Sequence, residues 1–523
     1  MGSDAFCDDF VRGDTLEPAR RTLQKLGTVT DPQISKTLLR HCTGFCQFVY
    51  ALRATPPTQV ATAAADFDDI VMAALQCGFF SLPENKRSQL RRGIRSGGLG
   101  IRSVVTHNES AYIASVSYAA TADGWRADSA DGYTDAVASY NKKVAPEHRL
   151  SINAAGLAVP TSTPGPAAAD CSTSAPEEAT EAKPPKQKAL SAHIDAAARA
   201  AEYVSATRRD KKRLTSQAGE HAALFLGVVP DPARFQDFTP QEYTMLVRWW
   251  LGMPVYAHTL TKPCPACGKL MDNTGYHALV CKKWGGKVHR HHSLCNAYVK
   301  FARGAHLAPL REQGVGGRTR PADVFLPIWD GRPLALDFAV THPQQPKYLN
   351  GKLAEDVHPG GVAAAYAATH KAGQFAPCQR AGVNFRPMVV EAFGSWDPQA
   401  LSVLRETALL YATHQGVDPK IALRWLGTRL NVVLMRQNVR MMLARASPAD
   451  VFDDEADCDI GAVSECGSDD TDEDNHVESI QRDDDEDSVV TADATDHSSE
   501  DGGDCGDTGR EADAGSEADA GAL

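Results

Sequence analysis

Three cysteines and a histidine between positions 264 and 281 are the side chains of this sequence most suited to one shared task. They run Cys264-Pro265-Ala266-Cys267, nine residues, His277, three residues, Cys281. Two cysteines two residues apart set both thiolates on one ion from a tight turn, and a His and a Cys at i, i+4 converge from one helical turn. The set therefore suits tetrahedral zinc in a closed, structural site. Lys282 and Lys283 follow directly and make its surroundings basic. The competing reading is a packed His277 and Cys281 beside two free thiols. His289, His291, His292 and Cys295 stand close behind and offer replacements for one of the last two ligands.

A second group is acidic. Asp323 heads the apolar run Ala322-Asp323-Val324-Phe325-Leu326, and Asp337 sits inside Leu334-Ala335-Leu336-Asp337-Phe338-Ala339-Val340. A carboxylate within such a run is costly to bury unless it is paired or holds a metal. Asp330-Gly331 between the runs is a hairpin signal. A two- or four-residue loop would pair Asp323 with Phe338 and send the aspartates to opposite faces, whereas a three-residue loop with a bulge would pair it with Ala339 and put both on one face. Only the second arrangement lets them share Mg²⁺, lower the pKa of a water and orient it toward a phosphodiester. Lys371 is the preferred lysine to offset the added negative charge, Lys352 the runner-up, and Glu312 a third acid. The competing reading makes Asp323 a partner of Arg320 or a strand cap, and Asp337 an ordinary ion pair.

The elements that must position these groups follow from periodicity. Apolar residues three and four apart make residues 15–150 mainly helical, with a break at Gly97-Gly98-Leu99-Gly100. Residues 187–224 are helical and carry the basic cluster Arg208-Arg209-Asp210-Lys211-Lys212-Arg213, a phosphate site, a nuclear import signal or a solvated helix face. Thr239-Pro240 opens a helix over 241–251 in which Trp249 and Trp250 read as core, and helices return at 361–374 and 398–445. Cys42 and Cys46 read as buried thiols.

In this order the residues resemble a known family. The C-x2-C, His, Cys cluster, the step Arg290-His291, Glu312, Arg320-Pro321-Ala322-Asp323, Asp337 and the distal Lys371 are similar to the C-terminal part of non-LTR retrotransposon proteins. Those carry a CCHC zinc knuckle followed by a restriction-like endonuclease of the PD-(D/E)xK type. The usual lysine position, two after the second acid, is Ala339 here; that retrotransposon branch has a displaced lysine, which Lys371 matches. Leu38-Leu39-Arg40-His41-Cys42, Tyr50-Ala51-Leu52-Arg53, Gly97 to Ser103 and Ala111 to Ser115 resemble the segment downstream of a reverse transcriptase palm.

The resemblance implies an α+β chain: a mainly helical region 1–150, a disordered Ala/Pro/Ser/Thr linker 151–187, a helical region 188–255 and a zinc module 256–298. A restriction-endonuclease-like α/β domain 299–447 and a disordered acidic tail 448–523 complete it. It further implies Mg²⁺-dependent DNA nicking by Asp323, Asp337 and Lys371 with Glu312 assisting, structural zinc, and contacts to DNA, with RNA a second candidate, through Lys282, Lys283, Arg290, His291 and Arg320. The alternative is a catalytically inactive, zinc-stabilised nucleic-acid-binding remnant. Polymerase activity is not expected: Phe6-Cys7-Asp8-Asp9 and Asp66-Phe67-Asp68-Asp69 mimic parts of a palm motif, but only five residues precede the first and the second lies in a helical pattern.

Charge supports a polyanionic partner. The chain of 523 residues has a net charge of −12, yet Asp450 to Leu523 holds 28 acidic and 2 basic residues. The remaining body is therefore +14. No run of 18 apolar residues occurs, and the start lacks a secretory signal, so an intracellular and, given the basic cluster, nuclear protein is expected. Thirteen cysteines scattered along the chain fit metal binding better than a disulfide framework.

Overall fold

Side chains three and four apart bury one face of helix after helix, and the Cys/His and carboxylate groups sit where these helices give way to a sheet. The computed structural model describes residues 4–78, 83–161, 183–256, 262–315, 318–350 and 358–446, all within the unit Met1–Asp459. Its class is α+β. Helices α1 (Asp4–Val11), α2 (Glu17–Leu26), α3 (Pro32–Leu38), α4 (Phe45–Ala54), α5 (Ala61–Gly78), α6 (Glu84–Arg91), α7 (Val104–Asp123) and α8 (Tyr133–Lys143) come first. Phe48 on α4 and Phe67 on α5 are fully buried, with ring centroids 5.0 Å apart.

Of the aspartates that mimicked a palm motif, Asp8, Asp66 and Asp68 make structural contacts, and Asp9 and Asp69 are exposed. Asp68 accepts hydrogen bonds from the backbone N–H of Val104 at 3.0 Å and from Ser103 Oγ, so it caps α7, and it pairs with Arg91 at 2.6 Å. Arg12 bridges Asp8 and Asp66 at 2.7 and 2.5 Å. Cys42 and Cys46 are exposed, contrary to expectation. A π-helical turn at Leu39–Thr43 adds a residue to the repeat and rotates the face that a regular helix would bury.

Part of the expected linker is ordered. Strands β1 (Leu150–Ile152) and β2 (Ala158–Pro160) pair antiparallel, with Ser151 opposite Val159, around an Asn153 that accepts from the N–H groups of Ala155 and Leu157. Averaged composition hid this turn. The rest of that linker, 162–182, and the acidic segment beyond 446 lie outside the described residues.

Helices α9 (Gln187–Ser205) and α10 (Arg208–Gln217) follow. The basic cluster on α10 is not a uniform exposed run, because Lys212 and Arg213 are buried. The Arg213 guanidinium donates to Trp250 O at 2.8 Å and Gln89 Oε1 at 3.1 Å and faces Asp210 at 3.2 Å and Glu202 at 3.8 Å. Arg213→Ala strands those buried partners and is expected to cost about 3–5 kcal/mol, whereas Arg208→Ala on the exposed side should stay within about 0.5 kcal/mol. Urea unfolding of the two variants checks the contrast.

Helix α11 (Pro240–Trp250) starts with a capping box in which Thr239 and Glu242 serve each other's N–H groups, both at 3.2 Å. Trp249 stacks on Phe393 at 4.1 Å, and Trp250 Nε1 donates to Gly97 O at 2.8 Å, so both tryptophans are core.

The last part alternates types. Helices α12 (Tyr276–Val280) and α13 (Gly286–Gly304) precede strands β3 (Leu310–Val315), β4 (Arg318–Trp329) and β5 (Arg332–Thr341). Helices α14 (Pro346–Asn350), α15 (Gly361–Tyr366) and α16 (Phe375–Arg380) lead to β6 (Asn384–Glu391), and α17 (Pro398–Gln415) and α18 (Pro419–Leu443) close the unit. The sheet order is β3-β4-β5-β6; β3, β4 and β5 are antiparallel and β6 runs parallel to β5. Asp330 (φ 47°) and Gly331 (φ 73°) make the β4–β5 turn, the doubly positive backbone that Asp-Gly favours. Leu336 and Met388 from the sheet share a core with Leu294 of α13 and Leu434 of α18. Among the described residues no helix is long and apolar enough to cross a membrane.

Candidate metal centre and carboxylate pair

The donor atoms of Cys264, Cys267, His277 and Cys281 all lie within 4.8 Å of one another, a Cys3His cluster able to bind zinc. A knuckle builds its first half. Gly268 N donates to Cys264 O at 2.8 Å, Cys264 N to Lys269 O at 2.7 Å, and Gly268 adopts φ 74°, which glycine takes without strain. The second half rests on Asp272, whose carboxylate accepts from the N–H groups of Thr274, Tyr276 and His277 at 3.0, 3.0 and 2.7 Å and so fixes the start of α12. Burial opposes that charge, but these hydrogen bonds and the Thr274 hydroxyl hold the Asp272 carboxyl below the usual range.

Chain geometry completes the cluster. Helix α12 ends at Val280, and Cys281 leaves it with extended ψ. Cys267 Sγ and His277 Nε2 are 3.3 Å apart, near the tetrahedron edge of about 3.6 Å set by ordinary Zn–S and Zn–N lengths. Burial works against a Cys281 thiolate, yet the Lys283 N–H and Arg445 bring its thiol below the ordinary value, toward the metal-binding form. Arg445 also donates to Lys283 O at 3.1 Å and to Met441 O at 2.8 Å, clasping the module to α18. None of the nearby histidines is needed as a replacement ligand.

The carboxylates meet by a register that neither loop length anticipated. Trp329 pairs with Arg332 across a two-residue turn, but Leu326 pairs with Leu334 and Val324 with Leu336. One extra residue therefore bulges out of β4 between Leu326 and Trp329, a stretch containing Pro327, which has no N–H to give the ladder. The shift places Asp323 directly opposite Asp337 on one face, so the expected pairings with Phe338 and Ala339 are both corrected.

Charge around the pair is closely matched. Lys371 Nζ lies 2.7 Å from Asp337 Oδ1, and His291 Nε2 lies 3.2 Å from Asp323 Oδ1, while Phe338 N donates to Asp323 Oδ2 at 2.7 Å. The two carboxyls stand close enough to shift each other's titration. Burial pushes Asp337 up to about 6 against the pull of Lys371, with Asp323 adding to the rise. Burial also opposes the Asp323 charge, but the His291 hydrogen bond and the Phe338 N–H hold it below the usual range. Without a cation the pair is thus mostly ionised at neutral pH, and as pH falls through about 6 the first proton it takes up goes to Asp337. Since Lys371 lowers the Asp337 pKa, Lys371→Ala is expected to move the upper titration of the pair above about 6, which carboxyl ¹³C NMR across a pH series would read.

Lys371 reaches the pair because of a residue that sequence reasoning passed over. Glu391, fully buried at the end of β6, accepts from the N–H groups of Val362 and Ala363 at 3.0 and 3.2 Å and anchors the start of α15. A π-helical turn, Ala367–Lys371, then carries the lysine inward. The signal was an acid inside the apolar run Met388-Val389-Val390-Glu391, the same anomaly that marked Asp337.

Other expected residues divide. Lys282 and Lys283 are exposed, as is Trp284, whose ring lies under Arg445 at 5.8 Å. Arg290 is buried and is corrected as a nucleic-acid contact: it donates to Asn438 Oδ1 at 2.7 Å, joining α13 to α18. His291 is half-buried, and its Nε2 lies 3.2 Å from Asp323 Oδ1. Glu312 lies on β3 across from Asp323, but among the described residues it completes no three-acid cluster with Asp323 and Asp337. Its φ of 51° is a left-handed backbone inside the strand. The side chain of Arg320 and all of Lys352 fall outside the described residues.

Compared with protein-family models and with curated proteins, the chain gives no significant match.

Proposed function

We propose that the chain is a Mg²⁺-dependent DNA endonuclease of a retrotransposon-derived protein, with the Cys3His module as a structural zinc site beside the DNA-binding surface. The observation that carries this reading is the juxtaposition of Asp323 and Asp337 across two strands with Lys371 Nζ 2.7 Å from Asp337. Two adjacent carboxylates with remaining positions for water and phosphate suit Mg²⁺. When bound, the cation would supply Lewis acidity to a phosphate oxygen and a water of lowered pKa.

The protein's own groups do the rest. Asp323 is held in its ionised form by the Phe338 N–H and His291. Asp337, raised by burial to about 6 and so mostly ionised at neutral pH, would hold the cation together with Asp323. Lys371 is then available to the negative charge that builds on phosphorus during in-line attack. Exposed Lys282, Lys283 and Lys287, with Trp284 among them, offer backbone-phosphate contacts and a stacking surface on a body of charge +14.

A second reading, a nucleic-acid-binding remnant without catalysis, is favoured by the self-contained pairing of Asp337 with Lys371 and Asp323 with His291. Nicking of supercoiled plasmid in Mg²⁺ decides between them. The nuclease reading requires product from wild-type protein and none from Asp323→Ala; equal rates, or no product beside salt-sensitive DNA binding, support the remnant.

A further inference from the structure

One face of α13 carries more donor chemistry than a Mg²⁺ site uses. His291 and Cys295 are four residues apart on that helix and point at the same oxygen-bearing side chain of β4. Cys295 Sγ lies 3.8 Å from His291 Nε2, which lies 3.2 Å from Asp323 Oδ1, and the three donor atoms are all within 4.8 Å of one another. For a tetrahedral ion with Zn–S about 2.3 Å, Zn–N about 2.05 Å and Zn–O about 2.0 Å, the corresponding edges are about 3.6 and 3.3 Å. The observed spacings agree with that figure to about 0.2 Å.

The surroundings are arranged as metal sites require. Asp323 is held from behind by the Phe338 N–H on its other oxygen at 2.7 Å, the kind of outer hydrogen bond that orients a ligating carboxylate. Cys295 is fully buried and lies against Arg311, one of whose guanidinium nitrogens, Nη1, is buried with no hydrogen-bond partner. Burial and the neighbouring Asp323 push the Cys295 thiol up to about 12 against the pull of Arg311, so the sulfur becomes a ligand only where an ion displaces its proton. Thiolate and imidazole are poor ligands for Mg²⁺ but suit zinc and its neighbours.

We infer that His291, Cys295 and Asp323 form a second transition-metal site, distinct from the Cys3His module, that takes a borderline-soft divalent ion such as zinc or cobalt. Three protein ligands leave a fourth position open to water or to Asp337, which stands opposite Asp323 across the two strands. Because Asp323 belongs to both sets, a soft ion here and Mg²⁺ between the aspartates compete for one carboxylate. The site itself stands independently of the nuclease reading, since its donors and spacing require no substrate.

Metal content and cobalt spectroscopy of the full chain test it. Wild-type protein equilibrated with excess zinc and freed of unbound ion should hold two zinc ions per chain by mass spectrometry of the elements, and His291→Gln and Cys295→Ser should each hold one. Titrated with Co²⁺, wild type should show a second equivalent with the charge-transfer band of a single thiolate, absent in Cys295→Ser. His291 is partly exposed, so its variant serves if Cys295→Ser fails to give the wild-type circular dichroism spectrum. One zinc in the wild type, or two retained in His291→Gln, would overturn the site and reduce the trio to an ion pair beside a bystander thiol.

Discussion

Replacing Asp337 by asparagine is expected to lower Mg²⁺-dependent nicking by about 10³-fold, equivalent to about 4 kcal/mol in the barrier. The side chain keeps its shape and loses its charge. It also loses the group that titrates near 6, so the wild-type rate should climb through that pH as the proton leaves and the cation enters, and the residual rate of the variant should not follow that climb. The stability linkage has the opposite sense. A carboxyl raised in the folded state contributes stability that is complete below its unfolded value of about 3.9 and is lost as pH rises through about 6. Wild type should therefore be less stable at pH 7 than at pH 4 through this group alone, and Asp337→Asn should flatten that part of the curve. Plasmid nicking and urea unfolding over the same pH series supply both readings; a rate profile shared by wild type and variant would remove Asp337 from the chemistry.

Withdrawing zinc is expected to have the second largest effect. The Cys3His segment is short, and residues 262–281 have little apolar burial of their own beyond Ala278, Leu279 and the ligands Cys264 and Cys281. Structural zinc supplies about 10 kcal/mol or more to modules of this kind, a large share of the ~5–15 kcal/mol that holds a typical domain folded. Chelation, or Cys267→Ala, should expose the segment to proteolysis first. It should then lower the melting temperature of the whole unit, because Arg445 ties the segment to α18 and Val255 N donates to Asn273 O at 2.7 Å. Limited proteolysis with mass mapping would show cleavage within 262–285; an unchanged digest and melt would mean the segment folds without metal.

Much of this arrangement was legible in the residues. Spacing alone assembled the Cys3His cluster able to bind zinc, because C-x2-C and an i, i+4 pair each have one compact solution. Asp-Gly located the hairpin for the same kind of reason, a backbone that few other dipeptides adopt. Lys371 was named from the family resemblance and from its helix, and it does reach Asp337. What escaped was whatever depended on a partner distant in sequence. The register of β4 against β5 turned on a bulge that hydrophobic alternation does not announce. Arg290 looked like a phosphate ligand because nothing local reveals Asn438, and Arg213 sat in a run of charges that composition assigns to solvent although Trp250 and Gln89 wait for it inside. Glu391, by contrast, was readable: an acid embedded among valines asks for a reason, and here the reason is the helix that delivers Lys371.

The surplus residue in β4 makes the hairpin unequally sensitive to changes of length. Shortening the chain by one at Ile328 would iron the ribbon flat and leave the two aspartates face to face, since the turn-to-acid count would then be the same on both arms. Removing one residue from the other arm, at Ala335, would instead throw Asp337 onto the far side, separating acid from acid though neither had been altered.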